Sequence, residues 1–546
     1  MNRQRFTDLR GGFRAMATIA LAIVITAGTV NGQVLPQTGA EMAGWERHTS
    51  YEELRDFLFE VQALTDNMLV RELTTTWEGR TMFLVVLGDP PAATPGDALR
   101  SGKPTLLIGN NVHGGELSGR EGGLLFLRDL ALGHLRPLLQ QVNVLIIPSV
   151  NPDGAARRQR SNSHGYDLNR DYLVLETPEI SALVEQVLLE WWPDVHVDTH
   201  NGGSRPYNLT YQATLHPSAD RELVALANGP MFERVKAQVE AEGMMLYWYS
   251  GPRQDPATGE WTWTTTDPNL RKQHSYSGFQ NMVALLFECP GPREDLQLQA
   301  RAQRAGEEGI LRYVAENAET LMRTVREARE RTANRTRDEV VIGWERSTYP
   351  GTDQFYVIER DPDAPRGTGG EQKLVTGTRS TLYVPSATRE RPWAYAFDGI
   401  HHDVAALLRR HRIQVEKLVE PVTLTVETYQ VTEATWQERP YQTHHLAEVA
   451  VEVVEREVTL EAGTYVVRMA QNGANVASYM LEPDTDDSVV MWNFMDPFIR
   501  VVRPPAADEP ARAMPEGMPQ RPQREPATLP IYRIMNRTGI KAVILP

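Results

Sequence analysis

Residues 45–335 alternate short apolar runs with amphipathic segments, and this alternation restricts the fold more than any other feature of the sequence. Apolar residues at helical spacing predict helices over 117–132 and 178–192, the second with Pro178 in its first turn. Strands that alternate with helices predict an α/β fold, with a mixed β-sheet flanked by helices. The predicted strands are 82–87, 105–108, 142–147, 195–199 and 283–287.

Residues capable of chemistry come just after four of these runs. His113 follows 105–108, Asn151 follows 142–147, His200 follows 195–199 and Glu288 follows 283–287. Open α/β sheets bind their ligands at the carboxyl ends of their strands. We therefore expect these side chains to share one site.

His113 and Glu116 enclose two glycines in the pattern His-Gly-Gly-Glu. Both side chains can face one cation where the backbone turns into a helix, and the glycines are expected to permit that turn. A hydrolytic zinc site needs three nitrogen or oxygen ligands and one position left for water. The pattern alone is weak evidence, because His445 and Glu448 repeat it without any companion motif.

Five further motifs follow His113 in a fixed order. They are Asn151-Pro152-Asp153-Gly154, Arg160-Ser161-Asn162, Gly165-Tyr166-Asp167-Leu168-Asn169-Arg170, Asp198-Thr199-His200 and Phe287-Glu288. The motif that begins at Gly165 contains both an acidic residue, Asp167, and the pair Asn169-Arg170. Together they resemble the zinc carboxypeptidase family typified by carboxypeptidase A, across residues 45–335. The interval of 84 residues between Glu116 and His200 is more similar to the compact bacterial and deacylase-like branches than to the digestive enzymes.

The resemblance implies a metal site and a base. His113, Glu116 and His200 would bind one Zn²⁺ per chain, and Glu288 would be the general base for zinc-activated water. Asp167 would accept a hydrogen bond from His113, which fixes the tautomer of that imidazole.

The same resemblance implies the residues that bind substrate. Arg160 would polarise the scissile carbonyl and stabilise the developing oxyanion. Asn169 and Arg170 would bind the terminal carboxylate, for which a guanidinium fork is well suited. Arg157 and Arg158 are rivals to Arg160, whose spacing to the later motifs favours it.

The third metal ligand has an alternative. His196, Asp198 and His200 alternate along one predicted strand, so all three lie on the same face. His196 could therefore be the ligand instead, although the motif position favours His200. Asp198 is expected to support the site rather than to bind the metal.

A tyrosine and a cysteine near Glu288 are further candidates for a role in the site. The family supplies a tyrosine from a loop ahead of its catalytic glutamate, and Tyr276, Tyr247 and Tyr249 all compete for that position. Cys289 follows Glu288 directly but has no nucleophile constellation, so we interpret it as a packed thiol.

The C-terminal part of the chain has a different texture. A charged helical region at 301–337 leads into residues 340–503, which we predict to be a β-rich accessory domain. Residues 504–528 are rich in proline and charged residues and are typical of a linker. Residues 529–546 regain strand character and are expected to return to the fold.

The first 32 residues combine four arginines, an apolar run at 15–30 and small residues around Gly32. This order predicts a secretory signal peptide cleaved near Gly32, and hence a secreted or periplasmic protein. Its removal would take four arginines and one aspartate and change the formal net charge from −15 to −18. Such acidity argues against nucleic acid and against a stable membrane partner. The single cysteine allows no intrachain disulfide.

The sequence thus predicts an exported zinc-dependent carboxypeptidase that hydrolyses a peptide or amide bond next to a free carboxylate. One alternative is a zinc-dependent deacylase or amidase that acts on a modified amino acid or a cell-wall peptide. The other is a non-catalytic binding protein on the same fold.

Overall fold

The computed structural model describes residues 29–30, 33–291, 295–334, 338–359, 370–499 and 527–545. The chain divides into two units, Met1–Leu35 and Pro36–Pro546. In the first unit, β1 (Thr29–Val30) pairs antiparallel with β2 (Gln33–Val34). The remainder of the predicted signal peptide lies outside the described residues. None of the helices within the described ranges combines the length and the apolar character needed to cross a bilayer.

The second unit begins with alternating strands and helices. Its strands up to residue 290 are β3 (Met68–Thr75), β4 (Thr81–Leu87), β5 (Thr105–Asn110), β6 (Asn143–Ile147), β7 (Val195–Gly203), β8 (Leu209–Ala213), β9 (Leu246–Trp248), β10 (Gly251–Gln254), β11 (Trp261–Thr264) and β12 (Val283–Pro290). Its helices up to residue 334 are α1 (Gly39–Met42), α2 (Tyr51–Ala63), α3 (Pro95–Ser101), α4 (Ser118–Ala131), α5 (Pro152–Arg157), α6 (Pro178–Ala182), α7 (Arg221–Leu226), α8 (Phe232–Ala241), α9 (Gln273–Phe279), α10 (Leu296–Glu316) and α11 (Ala318–Asn334).

Eight of these strands form one mixed sheet in the order β3-β4-β6-β5-β7-β12-β8-β9. The four central strands, β6, β5, β7 and β12, are parallel to one another. Every residue of β5, β6 and β12 is buried, as expected for strands covered by other layers on both faces. This arrangement confirms the predicted mixed α/β fold and brings the carboxyl ends of these four strands to one edge.

Two predicted helices differ in detail from the structure. The segment predicted as a helix over 178–192 starts as α6 but continues as a π-helical turn at Leu183–Leu188. The helical region predicted at 301–337 begins earlier and consists of α10 and α11, which are separated at Asn317. The side chain of Asn317 donates to the Tyr313 carbonyl oxygen at 3.0 Å and thereby ends the first helix.

The C-terminal region is rich in strands. They are β13 (Glu339–Ser347), β14 (Asp353–Glu359), β15 (Glu371–Ser380), β16 (Leu382–Glu390), β17 (Ala394–Phe397), β18 (Glu416–Leu418), β19 (Val422–Trp436), β20 (Ala447–Leu460), β21 (Tyr465–Arg468), β22 (Thr528–Ile534) and β23 (Ala542–Ile544). Helices α12 (His402–Arg410) and α13 (Ala474–Leu481) accompany them. Seven of the strands form a sheet in the order β20-β19-β22-β17-β21-β18-β23. The predicted linker lies outside the described residues, apart from its last two positions.

The α/β region and the C-terminal region share structure. Strand β11 pairs in parallel with β15, so one four-stranded sheet takes strands from both regions. One hydrophobic cluster contains Tyr172 and Tyr276 together with Tyr395 and Tyr479, all of them buried. Burying one large apolar side chain contributes about 1.5–3 kcal/mol, so this shared core stabilises the contact strongly. The domain boundaries drawn from the sequence remain a prediction.

Candidate metal centre and active site

Asn111 shapes the loop after β5 that presents His113 and Glu116. Its backbone is left-handed, with φ of 63°, a conformation that asparagine adopts more readily than most residues. Its side-chain amide donates to the main-chain oxygens of His113 at 2.8 Å and of Glu116 at 3.0 Å. The Glu116 N–H donates to the His113 carbonyl oxygen at 2.9 Å and closes the turn. No sequence motif pointed to this asparagine.

Gly114 allows the same loop to lie directly against α5. A Cβ atom on Gly114 would lie 2.1 Å from the carbonyl carbon of Gly154 and 2.4 Å from the nitrogen of Ala155. Neither Gly114 nor Gly115 has a positive φ. The glycines therefore lie in the turn that the sequence predicted, and close packing against α5, not a left-handed backbone, is what excludes a larger residue at Gly114.

Strand β7 supplies His200 from the centre of the sheet. The parallel register places His200 opposite Glu288 of β12. The next residue, Asn201, donates its main-chain N–H to Glu116 Oε2 at 3.1 Å. The strand therefore supplies one candidate ligand and also orients another.

The three predicted metal ligands converge on one point. Glu116 Oε2 lies 3.0 Å from His113 Nδ1 and 2.8 Å from His200 Nδ1. The two Nδ1 atoms are 3.0 Å apart. Among the residues that the structure describes, this is the one group of three histidine, cysteine or acidic side chains whose ligand atoms all lie within 4.8 Å of one another.

The tautomers of the two histidines show whether this group suits a cation. His113 Nε2 lies 3.0 Å from Asp167 Oδ1, and His200 Nε2 lies 2.8 Å from Asp198 Oδ2. A carboxylate can only accept, so Nε2 carries the proton of each neutral ring and Nδ1 presents its lone pair. Two lone pairs and a carboxylate oxygen then face one another. The donor set therefore fits a zinc ion with three protein ligands.

Asp167 lies in a strongly electropositive environment. Burial alone would raise the pKa of this carboxyl group. The hydrogen bond from His113 and the positive charges of Arg170 and Arg160 outweigh burial and hold the pKa far below its usual range. Asp167 is therefore ionised throughout the physiological pH range and can orient His113, as the sequence predicted.

Glu288 is a buried carboxylate with one open oxygen. Burial raises its pKa to about 7, and the charge of Glu116 adds to this effect while that of His200 opposes it. Within the described part of the chain, its Oε2 has no hydrogen-bond partner. Gly202 leaves space beside it, because a Cβ atom there would lie 2.7 Å from Oε2. A carboxylate with a pKa near neutrality suits a general base.

Tyr249 is the one of the three candidate tyrosines that faces Glu288. The negative charge of Glu288, followed by burial, raises the pKa of the Tyr249 phenol well above its usual value. Tyr276 is fully buried, with its hydroxyl 2.8 Å from His411 Nδ1. Tyr247 packs in an aromatic cluster, 4.7 Å between ring centroids from Trp263.

Arg160 reaches the site and contacts two of its carboxylates. Its side chain is 50% exposed, its Nε donates to Asp167 Oδ2 at 2.9 Å and its Nη1 donates to Glu116 Oε1 at 3.1 Å. Arg157 forms an ion pair with Glu78 instead. Arg158 ends helix α5 in a left-handed conformation. A half-exposed guanidinium beside the candidate ligands can contact a bound substrate.

Asn169 and Arg170 lie on the other side of His200. Asn169 Nδ2 is 3.3 Å from His200 Nε2, and its Oδ1 accepts from the Gln273 main-chain N–H at 2.9 Å. Arg170 Nη1 donates to the Asn169 carbonyl oxygen at 2.6 Å. The nearby Lys272 ammonium is paired with the Asp267 carboxylate at 2.6 Å, so the Arg170 guanidinium is the group on this side that can bind an anion.

The other candidates lie apart from the ligand cluster. His196 is buried with its Nδ1 2.8 Å from Ser277 Oγ, and burial lowers its pKa to about 4. His445 Nδ1 lies 2.9 Å from the Gln437 carbonyl oxygen, in the C-terminal region. Burial raises the pKa of the Cys289 thiol, so this cysteine is not a thiolate nucleophile.

A cluster of nitrogen and oxygen ligands at the carboxyl edge of the sheet, next to a buried carboxylate, is the arrangement of a metallohydrolase. The sequence model of the zinc carboxypeptidase family matches residues 54–351, which is more than half of the 546 residues. The chain therefore belongs to the zinc carboxypeptidase family and is a zinc metallocarboxypeptidase. This confirms the family resemblance and the enzyme class that the motifs predicted.

The chain is also similar to individual carboxypeptidases. It is 24% identical over 445 residues to Carboxypeptidase 2 of Trichophyton rubrum, which covers 77% of this chain and 78% of that protein. It is 30% identical over 183 residues to Carboxypeptidase E of Caenorhabditis elegans, which covers 30% and 38%. A solved metallo-carboxypeptidase from Burkholderia cenocepacia shares 23% identity at a TM-score of 0.39, over 48% of this chain and 68% of that one.

Proposed function

We propose that this chain is an exported carboxypeptidase that removes the C-terminal residue of peptides, with His113, Glu116 and His200 as the ligands of one zinc ion. The observation that carries this proposal is the convergence of His113 Nδ1, Glu116 Oε2 and His200 Nδ1 while both Nε2 atoms face aspartates. A bound zinc ion acidifies water and polarises a carbonyl group. The chain's own residues supply the remaining chemistry.

Glu288 acts as the base in this proposal. Its open Oε2 accepts a proton from the attacking water, and the carboxylic acid then donates that proton to the leaving amine. The pKa of about 7 allows Glu288 to hold and release the proton near neutral pH. The phenol of Tyr249 lies beside this carboxylate and can hydrogen-bond to the substrate or to Glu288.

Three residues orient the substrate. Arg160 contacts the scissile carbonyl oxygen and stabilises the negative charge that develops there, since its guanidinium is fixed by Asp167 and Glu116. Arg170 and Asn169 bind the terminal carboxylate, because Asn169 lies beside His200 and the adjacent Arg170 guanidinium can form charge-assisted hydrogen bonds with a carboxylate. Binding of this carboxylate restricts hydrolysis to the last peptide bond.

The proposed export depends on the N-terminal 32 residues. Their basic start, apolar run and small residues near Gly32 support cleavage by a signal peptidase. Mass spectrometry of protein recovered from the periplasm or medium of a bacterial host should give a mature chain that begins near residue 33. Recovery of the intact chain in the cytoplasm would contradict export without affecting the enzymatic proposal.

The catalytic proposal is tested by replacing Glu288→Gln, which keeps the shape of the side chain but removes the base. We expect this variant to retain about one zinc per chain and to lose roughly 10²–10⁴-fold in kcat on a peptide with a free C terminus. Zinc is measured by atomic emission and activity by release of the terminal amino acid.

Glu307→Gln is the matched control for that experiment. Glu307 is also fully buried, and burial raises its pKa well above the usual value. The substitution makes the same change from carboxyl to amide at a second buried glutamate and keeps the shape of the side chain. Wild-type activity in Glu288→Gln, or an equal loss in both variants, would refute the role of Glu288.

A further inference from the structure

The C-terminal region reaches the proposed active site through the connection between β19 and β20, residues 437–446. The side chain of Gln442, in this 437–446 connection, forms hydrogen bonds with both the main-chain N–H and the main-chain carbonyl group of one residue, Asp167. Its Oε1 accepts from the Asp167 N–H at 3.1 Å, and its Nε2 donates to the Asp167 carbonyl oxygen at 2.6 Å. The two residues are 275 positions apart in the chain. A paired amide contact of this kind fixes both the position and the orientation of the peptide that it holds.

The backbone of the 437–446 connection adopts an uncommon conformation to make this contact. Gln442 and Thr443 both have positive φ values, 49° and 71°. A left-handed conformation costs roughly 1–2 kcal/mol for a residue other than glycine. Strain of this kind persists only where surrounding contacts determine it, and it is concentrated at functional sites.

Asp167 transmits the contact to the candidate catalytic groups. One of its carboxylate oxygens lies 3.0 Å from His113 Nε2, and the other accepts from Arg160 Nε at 2.9 Å. A shift of the Asp167 main chain would therefore displace a proposed zinc ligand and the proposed carbonyl-polarising arginine together. Displacements of about 1 Å at catalytic groups can cost about 100-fold in rate.

The 437–446 connection also supports the opposite side of the site. The Arg271 guanidinium lies over the rings of Tyr441 and Trp492, 5.1 Å and 5.2 Å from their centroids. Asp487 pairs with the same guanidinium at 2.8 Å. Two residues later, the main-chain N–H of Gln273 donates to the side-chain oxygen of Asn169, which belongs to the proposed carboxylate site.

We infer that Gln442 is a positioning residue of the active site, and that the 437–446 connection makes the C-terminal region part of the catalytic apparatus. This inference rests on the proposed function of His113, Arg160 and Asp167. Gln442 acts through Asp167 and touches none of the reacting atoms. Loss of its side chain should therefore loosen His113 and Arg160 without removing a zinc ligand.

Gln471 is the matched control for Gln442, because its contacts are with main-chain groups away from the proposed active site. Its Oε1 accepts from the Gln414 N–H at 2.6 Å, and its Nε2 donates to the carbonyl oxygens of Gln414 at 3.3 Å and Arg468 at 2.6 Å. It thus makes the same paired contact with one main-chain unit, at the end of β21. A variant at Gln471 loses the same type of bond without any contact with Asp167.

The experiment compares Gln442→Ala, Gln442→Met and Gln471→Ala in the full zinc-loaded protein. Three quantities are measured: kcat and KM on the free-carboxylate peptide that the wild type cleaves fastest, the rate of zinc loss to 1,10-phenanthroline, and Tm. We expect both Gln442 variants to lose about tenfold in kcat/KM and to release zinc about tenfold faster, the low end of the range for lost outer partners of a metal-binding histidine. Gln471→Ala should remain within about twofold of wild type in both, with a comparable loss in Tm.

Three results would overturn the inference. Wild-type kcat/KM and zinc release in both Gln442 variants would show that the contact is dispensable. If Gln471→Ala changes kcat/KM and zinc release as much as the Gln442 variants do, the Gln442 contact contributes only to general stability. A fall in activity with unchanged zinc release would refute the link through His113. Gln442→Met keeps the length of the side chain, so if neither Gln442 variant folds while Gln471→Ala does, the role is structural and the inference fails.

A His113→Ala variant separates this inference from the proposed function. If His113→Ala retains zinc and full activity, the proposed metal site itself is wrong. If His113→Ala is inactive and the Gln442 variants behave like wild type, the proposed function stands and only the positioning role fails.

Discussion

The Nδ1 atoms of His113 and His200 lie 3.0 Å apart. Each ring turns its Nε2 towards an aspartate, so the two facing nitrogens both present lone pairs. Neither ring can rotate to relieve this arrangement without breaking its bond to Asp167 or Asp198. The aspartates therefore prepare the pair for a cation, and their removal should affect metal binding more than folding.

Replacement of Asp198→Asn tests this relationship. The amide can accept from His200 Nε2 but no longer carries the charge that makes the imidazole a stronger ligand, so we expect zinc affinity to fall about 10–100-fold. Zinc affinity is measured by competition with a fluorescent chelator. Asp194→Asn serves as the control, because Asp194 is a partly buried carboxylate that accepts from the Thr105 N–H at 2.9 Å, just before the same strand begins. Equal losses of affinity in both variants would contradict the specific role of Asp198.

Arg170→Ala should change the preference for the substrate's C terminus. If Arg170 binds the terminal carboxylate, the variant should lose at least about tenfold in kcat/KM on peptides with a free C terminus, since charge-assisted bonds contribute roughly 1.5–3 kcal/mol. Its slow turnover of C-terminally amidated peptides should remain unchanged. Arg157→Ala, which removes an arginine paired with Glu78, should resemble wild type on both. Equal turnover of both peptide classes by the wild type would favour an amidase instead.

Tyr249→Phe tests the tyrosine that faces Glu288. The variant keeps the ring and removes only the hydroxyl group, so the fold should be retained. We expect kcat/KM to fall about tenfold or more, because a hydrogen bond to a charged group contributes roughly 1.5–3 kcal/mol. Tyr276→Phe is the comparison, since its hydroxyl contacts His411 away from the site. Tyr276→Phe should have a lower Tm but unchanged activity. Loss of activity in Tyr276→Phe with wild-type activity in Tyr249→Phe would show that Tyr249 is not the catalytic tyrosine.

The sequence allowed the candidate ligands and five of the eight strands of the mixed sheet to be predicted, because both leave local signals. A buried strand leaves an apolar run, and a ligand set leaves fixed spacings along the chain. Helix α13 leaves no such signal and was not predicted. All of its residues are buried, so it has no polar face to produce a helical period in the sequence.

Gln442 and Asn111 could not be found in this way. Gln442 contacts Asp167 across 275 positions of the chain, and nothing near Gln442 distinguishes it from other surface glutamines. Asn111 acts through its left-handed backbone and its side-chain amide, neither of which produces a spacing with the ligands. The tyrosine facing Glu288 likewise depends on how the segment after β9 folds back over the sheet. Such contacts follow from tertiary structure and require coordinates.

The last prediction concerns the pH dependence of a second anchor of the 437–446 connection, the ion pair between His444 and Glu176. His444 Nε2 lies 2.8 Å from Glu176 Oε1. This hydrogen bond, with the charges of Glu176 and Asp171, raises the pKa of His444 above 6.5 despite partial burial. Because the pKa is raised in the folded state, the stabilisation is fully present below about pH 6.5 and is lost as the pH rises through the folded-state pKa.

A double-mutant cycle with Glu176→Gln and His444→Gln isolates this pair from the nearby Asp171, whose pKa of about 7 lies in the same range. We expect a coupling of roughly 0.2–1 kcal/mol at about pH 5.5, the usual size for a partly exposed pair, and almost none at about pH 9. Thermal unfolding of the four proteins at both pH values gives the coupling. A coupling that grows with pH would mean that His444 binds Glu176 only as a neutral ring, and the 437–446 connection would then be anchored more firmly in alkaline than in acidic solution.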